Sequence, residues 1–118
     1  GIPDVYFANF KKRFKETTES QFVNLMLANQ KFRLPKGLEK ASASILVLAG
    51  RHEYSAMQQS VRDLVSAMPN AKGGWIDLGG KSSMTSEHNW ALTTPELFAQ
   101  MVRAWIEGKS LSREIRDL

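Results

Sequence analysis

An unbroken apolar run, ILVLAG at positions 45–50, stops abruptly at Arg51, His52 and Glu53. Such a run predicts a strand buried on both faces, as in a parallel sheet, with the polar residues just beyond its C-terminal edge. Met57, Val61, Leu64, Val65 and Met68 then recur at helical spacing until Pro69, and Ser55 with Gln58 has the pattern of a capping box, so a helix follows. In GGWIDLGG, Trp75 and Asp77 alternate with Ile76 and Leu78, which predicts a second, half-exposed strand at a sheet edge. Thr94 as N-cap, Pro95 in the first helical position and an apolar face from Leu97 to Ile106 predict a last long helix closed by Gly108. The tail KSLSREIRDL offers only Leu111, Ile115 and Leu118 for burial and carries no predicted element.

The first forty residues are patterned differently. Phe7, Phe10 and Phe14 lie on one face of a short helix, with Lys11, Lys12, Arg13 and Lys15 around it. Thr18 and Gln21 fit a capping box ahead of Phe22, Val23, Met26 and Leu27, and Pro35 with Gly37 ends that helix. From Ile45 onward the order strand, helix, strand, helix reads as α/β, with two parallel strands at about 44–50 and 74–78.

Composition narrows the picture. At 118 residues with 42% hydrophobic content the chain suits one core-forming unit and not a disordered tail. The net charge of +4 comes from scattered basic residues, and its one dense run reads as a solvated helix face, so no nucleic-acid partner is expected. No apolar stretch reaches the roughly 20 residues of a membrane span, and no signal peptide is evident. The absence of cysteine removes disulfides, thiolate metal sites and Cys nucleophiles. A cytoplasmic chain without metal or other cofactor is the expectation.

Both strands are followed by polar clusters, RHEYS and GGKSSMTSEHNW. Parallel strands deliver both clusters to the same sheet edge. Glu53 and His88 can therefore meet as the orienting half of a triad, in which the acid fixes the imidazole tautomer while the other ring nitrogen takes a nucleophile's proton. Each also has a purely structural reading: His88 as a loop histidine, Glu53 as a carboxylate near the start of the Ser55 helix. Arg51 is read as a possible partner of Glu53, His52 as facing away from any site, and Trp90 as packing on the last helix. GGKSS fits a phosphate loop poorly, because the P-loop pattern needs glycine where Trp75 stands, and SSMTSE is poor helix material.

On these residues the chain resembles the last third of an α/β-hydrolase superfamily enzyme. FRLPKGLEKASASILVLAGRHEY is similar to the end of a helical cap leading into the penultimate core strands, and HNWALTTPELFAQMVRAWIEG to the histidine loop and final helix. The resemblance implies a helical cap-derived segment at 1–40 and a C-terminal core segment at 41–118, forming one structural unit. By position it makes Glu53 the triad acid and His88 the catalytic histidine. Two features depart from the family pattern. An inserted segment at 81–87 lengthens the histidine loop, and no G-x-S-x-G nucleophile elbow is present. The expected function is a fragment of a serine-type hydrolase of small esters, inactive alone, partnered by the missing N-terminal half or by a second copy. The alternative is a non-catalytic, oligomeric binding module built on the same half-fold.

Overall fold

The computed structural model describes residues 2–118. Its core is a three-stranded sheet in the order β1, β2, β3, where β1 is Ile45–Gly50, β2 Ala71–Ile76 and β3 Ile115–Asp117. Strands β1 and β2 run parallel, in register from Ile45 opposite Ala71 to Gly50 opposite Ile76. A parallel pair needs a crossover, and here it is a helix of 13 residues, Ser55–Ala67. That helix is α3 in chain order, after α1 (Asp4–Glu16) and α2 (Glu19–Lys31), and before α4 (Met84–His88), α5 (Trp90–Thr93) and α6 (Pro95–Ile106). No helix of the described residues is long and apolar enough to cross a membrane.

Side chains alternate across the sheet, so its two faces pack against different helices. On one face a Cβ added at Gly73 would touch Val65 of α3, and the Arg62 guanidinium of α3 lies 5.1 Å from the centre of the Trp75 ring. On the other face Leu46 and Leu48 border a groove with Trp90, Met101 and Trp105. Val61, Met68, Ile76, Ala49 and Met101 are the buried hydrophobic residues. Trp90 meets Phe98 edge to face at 5.2 Å, which is the packing on the last helix that the sequence predicts.

Several expectations are corrected. The second strand spans 71–76 and not 74–78: the backbone leaves the extended form at Leu78, and Asp77 turns to accept a hydrogen bond from the Gly79 N–H. It is also the central strand, because the tail returns antiparallel beside it and pairs Ile76 with Ile115 and Gly74 with Asp117. The tail is thus ordered despite its few apolar residues. Arg116 pairs with Asp77 at 2.9 Å and Lys72 with Asp117 at 3.0 Å. Gly74 admits this approach, since a Cβ there would sit 2.8 Å from the Arg116 carbonyl oxygen.

Two expected caps also differ. Helix α3 starts after Tyr54 without a side-chain cap, and Gln58 instead donates to the carbonyls of Arg51 and Glu53, tying down the loop after β1. The Thr94 hydroxyl donates to the Trp90 carbonyl and caps nothing, although α6 does begin at Pro95. The Thr18–Gln21 capping box is present as expected, and Gly108 follows the last helix with a φ of 66°. Helices α1 and α2 bury no residue: Phe10 stacks on Phe14, Phe14 meets Phe22, and all three rings stay exposed.

Candidate functional site

The loops after β1 and β2 meet at the C-terminal edge of the sheet, as the parallel topology requires. The inserted segment that precedes His88 is where the fold departs most from its sequence pattern. A single 3-10 turn, Gly79–Lys81, leads into α4, whose first turn is closed by a reciprocal cap between Ser83 and Ser86. The stretch expected to be poor helix material is therefore a short helix. Its cap satisfies the first amides, and the Ser86 hydroxyl also donates to the Lys81 carbonyl at 2.8 Å.

Helix α4 ends in the dipeptide Glu87–His88, and β1 is followed by the dipeptide His52–Glu53. The four side chains cross over into two reciprocal pairs. Nδ1 of His88 is hydrogen-bonded to Oε1 of Glu53, and Nδ1 of His52 to Oε1 of Glu87 at 2.9 Å. A carboxylate accepts, so in each pair the imidazole donates from Nδ1 and leaves Nε2 free for other chemistry. Both carboxylates are buried, Glu53 at 8% and Glu87 at 1% exposure, whereas both imidazoles are more than half exposed. The sequence expectation that Glu53 and His88 meet is matched by this contact.

The other residues near the site lie differently from the sequence reading. His52 does not face away, but sits on Glu87 through its ring and through its backbone N–H, which donates to Oε2 at 2.7 Å. Arg51 pairs not with Glu53 but with Asp77, at 2.7 Å, because the loop bends Arg51 toward the end of β2. Glu87 was not singled out by sequence reasoning. Its signal is the mirrored spelling, His-Glu after one strand and Glu-His near the end of the loop after the next.

Electrostatics agree with this arrangement. Burial pushes the Glu87 carboxyl up, but the His52 backbone N–H, the His52 ring and the Ser82 hydroxyl outweigh it and hold the pKa below the ordinary value. Glu87 is thus an ionised, buried anchor at neutral pH. Asp77 is held lower, at about 2, chiefly by the Gly79 N–H and by Arg51, against burial and with help from Arg116 and Ser82. The Ser82 hydroxyl donates to Asp77 at 3.2 Å. Asp77 therefore joins three segments: the loop after β1, the histidine loop and the returning tail.

Glu53 and His88 line an open groove of about 290 Å³ whose walls are Tyr54, Met57, Met84, Thr85 and Asn89; neither His52 nor Glu87 lines it. His88 and Glu53 thus stand on the wall of a concave, mostly apolar groove. Among the described residues no side-chain hydroxyl is hydrogen-bonded to His88, and no group of three or more His, Asp or Glu side chains is placed to hold a metal ion. Chemically the arrangement can hold an imidazole in one tautomer and stabilise it once protonated. No family model, curated protein or solved structure matches this chain.

Proposed function

We propose that this chain is the C-terminal part of a serine-type α/β hydrolase, with Glu53 as the triad acid and His88 as general base. The observation that carries the reading is the Glu53–His88 hydrogen bond, which joins the loops following two adjacent parallel strands and lies on the wall of a groove. In the proposed reaction Nε2 of His88 takes the proton of a serine hydroxyl as the serine oxygen attacks an ester carbonyl. The proton then passes to the departing alkoxide, and water, activated by the same imidazole, releases the acid from the acyl-enzyme. The apolar walls of Met57 and Met84 favour an uncharged, hydrocarbon-bearing ester.

The serine and the oxyanion donors come, on this reading, from sequence outside these 118 residues or from a partner chain. Exposed area supports a missing neighbour. The chain exposes 8818 Å². A compact monomer of 13.3 kDa would expose roughly 6,500 Å². The excess of roughly 2,300 Å² is well above the ~800 Å² that each partner buries in a standard interface. Among the described residues strand β1 pairs only with β2, which leaves its other side for a preceding core strand of the hydrolase fold, and α1 and α2 bury no residue, as cap helices parted from a core would not.

The same exposed surface favours a second reading, a non-catalytic module that assembles through β1 and the apolar helices. The two are separated by expressing the chain with the coding sequence immediately upstream and assaying p-nitrophenyl butyrate. Turnover should appear and fall by about 10⁴-fold in Glu53→Gln and by about 10⁶-fold in His88→Ala, the losses seen when a triad carboxylate and a triad base are removed. Turnover indifferent to both substitutions would rule the proposal out, and tight assembly with no turnover would establish the module.

A further inference from the structure

The Glu53–His88 dyad rests on a weak foundation of its own. Helix α4 has only five residues, too short to persist without tertiary support, and it follows a loop of glycines and serines. Glu87 is the one buried residue of α4. It enters the protein beside Gly50, where the absence of a side chain leaves room for its Cβ and carboxylate. Both of its oxygens are then taken by His52, one by the backbone N–H at 2.7 Å and one by the ring at 2.9 Å.

Because His52 precedes Glu53 and Glu87 precedes His88, the two contacts share two short rigid connections. Whatever distance the His52–Glu87 pair sets between the loop after β1 and α4 is the distance across which Glu53 must reach His88. We propose that His52 and Glu87 are positioning residues, a clamp that holds α4 in the register that keeps the His88 imidazole on Glu53 with its proton on Nδ1. The groove beside the dyad includes Glu53 and His88 and neither member of the clamp, which fits a role exercised through His88 and not on a substrate. The catalytic meaning of the clamp rests on the hydrolase reading, whereas its geometry does not.

The chain has two histidines, so each ring can be read separately. Long-range ¹H–¹⁵N correlation spectra of the ¹⁵N-labelled chain, recorded at alkaline pH, report which nitrogen carries each proton. In the unaltered chain His88 should be the Nδ1–H tautomer. In Glu87→Gln the Nδ1–H form of His88 should be lost as the major species, and in His52→Ala, where only the His88 ring remains, it should decline in the same direction. Val65→Ala, which loosens the opposite face of the sheet where α3 packs on Gly73, should leave it unchanged. His52 is half exposed, so His52→Ala is a folded reporter even where Glu87→Gln is not. An Nδ1–H tautomer of His88 that persists in the folded clamp variants would overturn the clamp, as would the same loss in Val65→Ala. A tautomer change without ester turnover in the upstream-extended protein would leave the clamp standing and remove the hydrolase. His88-dependent turnover with an unmoved tautomer would do the reverse.

Discussion

Gly50 and Glu87 are packed so closely that a β-carbon on the glycine would fall 2.5 Å from the Cβ of Glu87 and 3.1 Å from the Cγ of Glu53. The last residue of β1 thus lies against both buried carboxylates, and the strand's end is shaped to admit them. The constraint is one of space: Gly50 ends an ordinary extended strand and is not among the glycines with positive φ.

Gly50→Ala should therefore act as an overpacking change that pushes α4 outward. The expected cost is about 1–3 kcal/mol, read as a lower denaturant midpoint. Loss of the Nδ1–H form of His88 should accompany it, because α4 cannot move without carrying His88 away from Glu53. A stable Gly50→Ala chain with an unchanged His88 tautomer would show that the crowding at this point is relieved some other way.

Asp77 sets the acid limb of stability. Its folded pKa of about 2 lies below the ordinary 3.8, so its stabilising contribution is complete above about pH 3.8 and is lost as pH falls through about 2. The first structure released should be β3, since Arg116 reaches the sheet through Asp77 and the Asp77 N–H donates to the Glu114 carbonyl at 2.9 Å. In Asp77→Asn the gap in stability from the parent chain should be constant near neutral pH and shrink below about pH 3.8. Amide exchange at Ile115–Asp117 should be faster in the variant at pH 6. Equal exchange in the two chains at that pH would show that the tail is held by its strand pairing alone.

What could be read from the sequence depended on how local the determinant is. The strand at Ile45–Gly50, the α3 stripe and α6 are each specified by side chains within one element, and the meeting of Glu53 with His88 follows once two parallel strands are recognised. Strand β3 is three residues long, and its pairing depends on Asp77 and Gly74, some forty residues earlier, so no periodicity in KSLSREIRDL could reveal it. Helix α4 is hidden for a related reason. Its cap uses serine at both positions, where the usual signature has Glu or Gln at the second, and its hold on the core is a glutamate that by composition alone belongs on the surface.

If the proposed hydrolase reading holds, the groove beside His88 sets the specificity of the upstream-extended protein. Met84 and Met57 are adaptable side chains on facing helices, and replacing Met84 with Trp fills part of the 290 Å³ between them. The ratio of kcat/KM for an octanoyl ester to that for an acetyl ester should fall at least ~10-fold, within the range that a methylene-sized misfit commands. Because neither methionine takes part in the Glu53–His88 hydrogen bond, acetyl ester turnover should stay within a few-fold. An unchanged ratio would place the hydrocarbon part of the substrate elsewhere.

The free edge of β1 leads to the last prediction. Ile45, Leu46, Val47, Leu48 and Ala49 carry no charge, proline or bulge of the kind that protects exposed edge strands, and β2 occupies only one side. Nearby, Phe98, Val102 and Ile106 of α6 remain exposed, so a sheet edge and an apolar helix face both lack a neighbour. Light scattering of the 118-residue chain alone should give a mass above 13.3 kDa that rises with concentration, as the unpaired β1 edges pair with one another. Ile106→Glu should lower that mass, and co-expression with the upstream sequence should replace self-association by a single defined complex. A chain that stays at 13.3 kDa throughout, with all β1 amides protected from exchange, would mean that β1 is already fully paired, and the case for a missing neighbouring strand would fail.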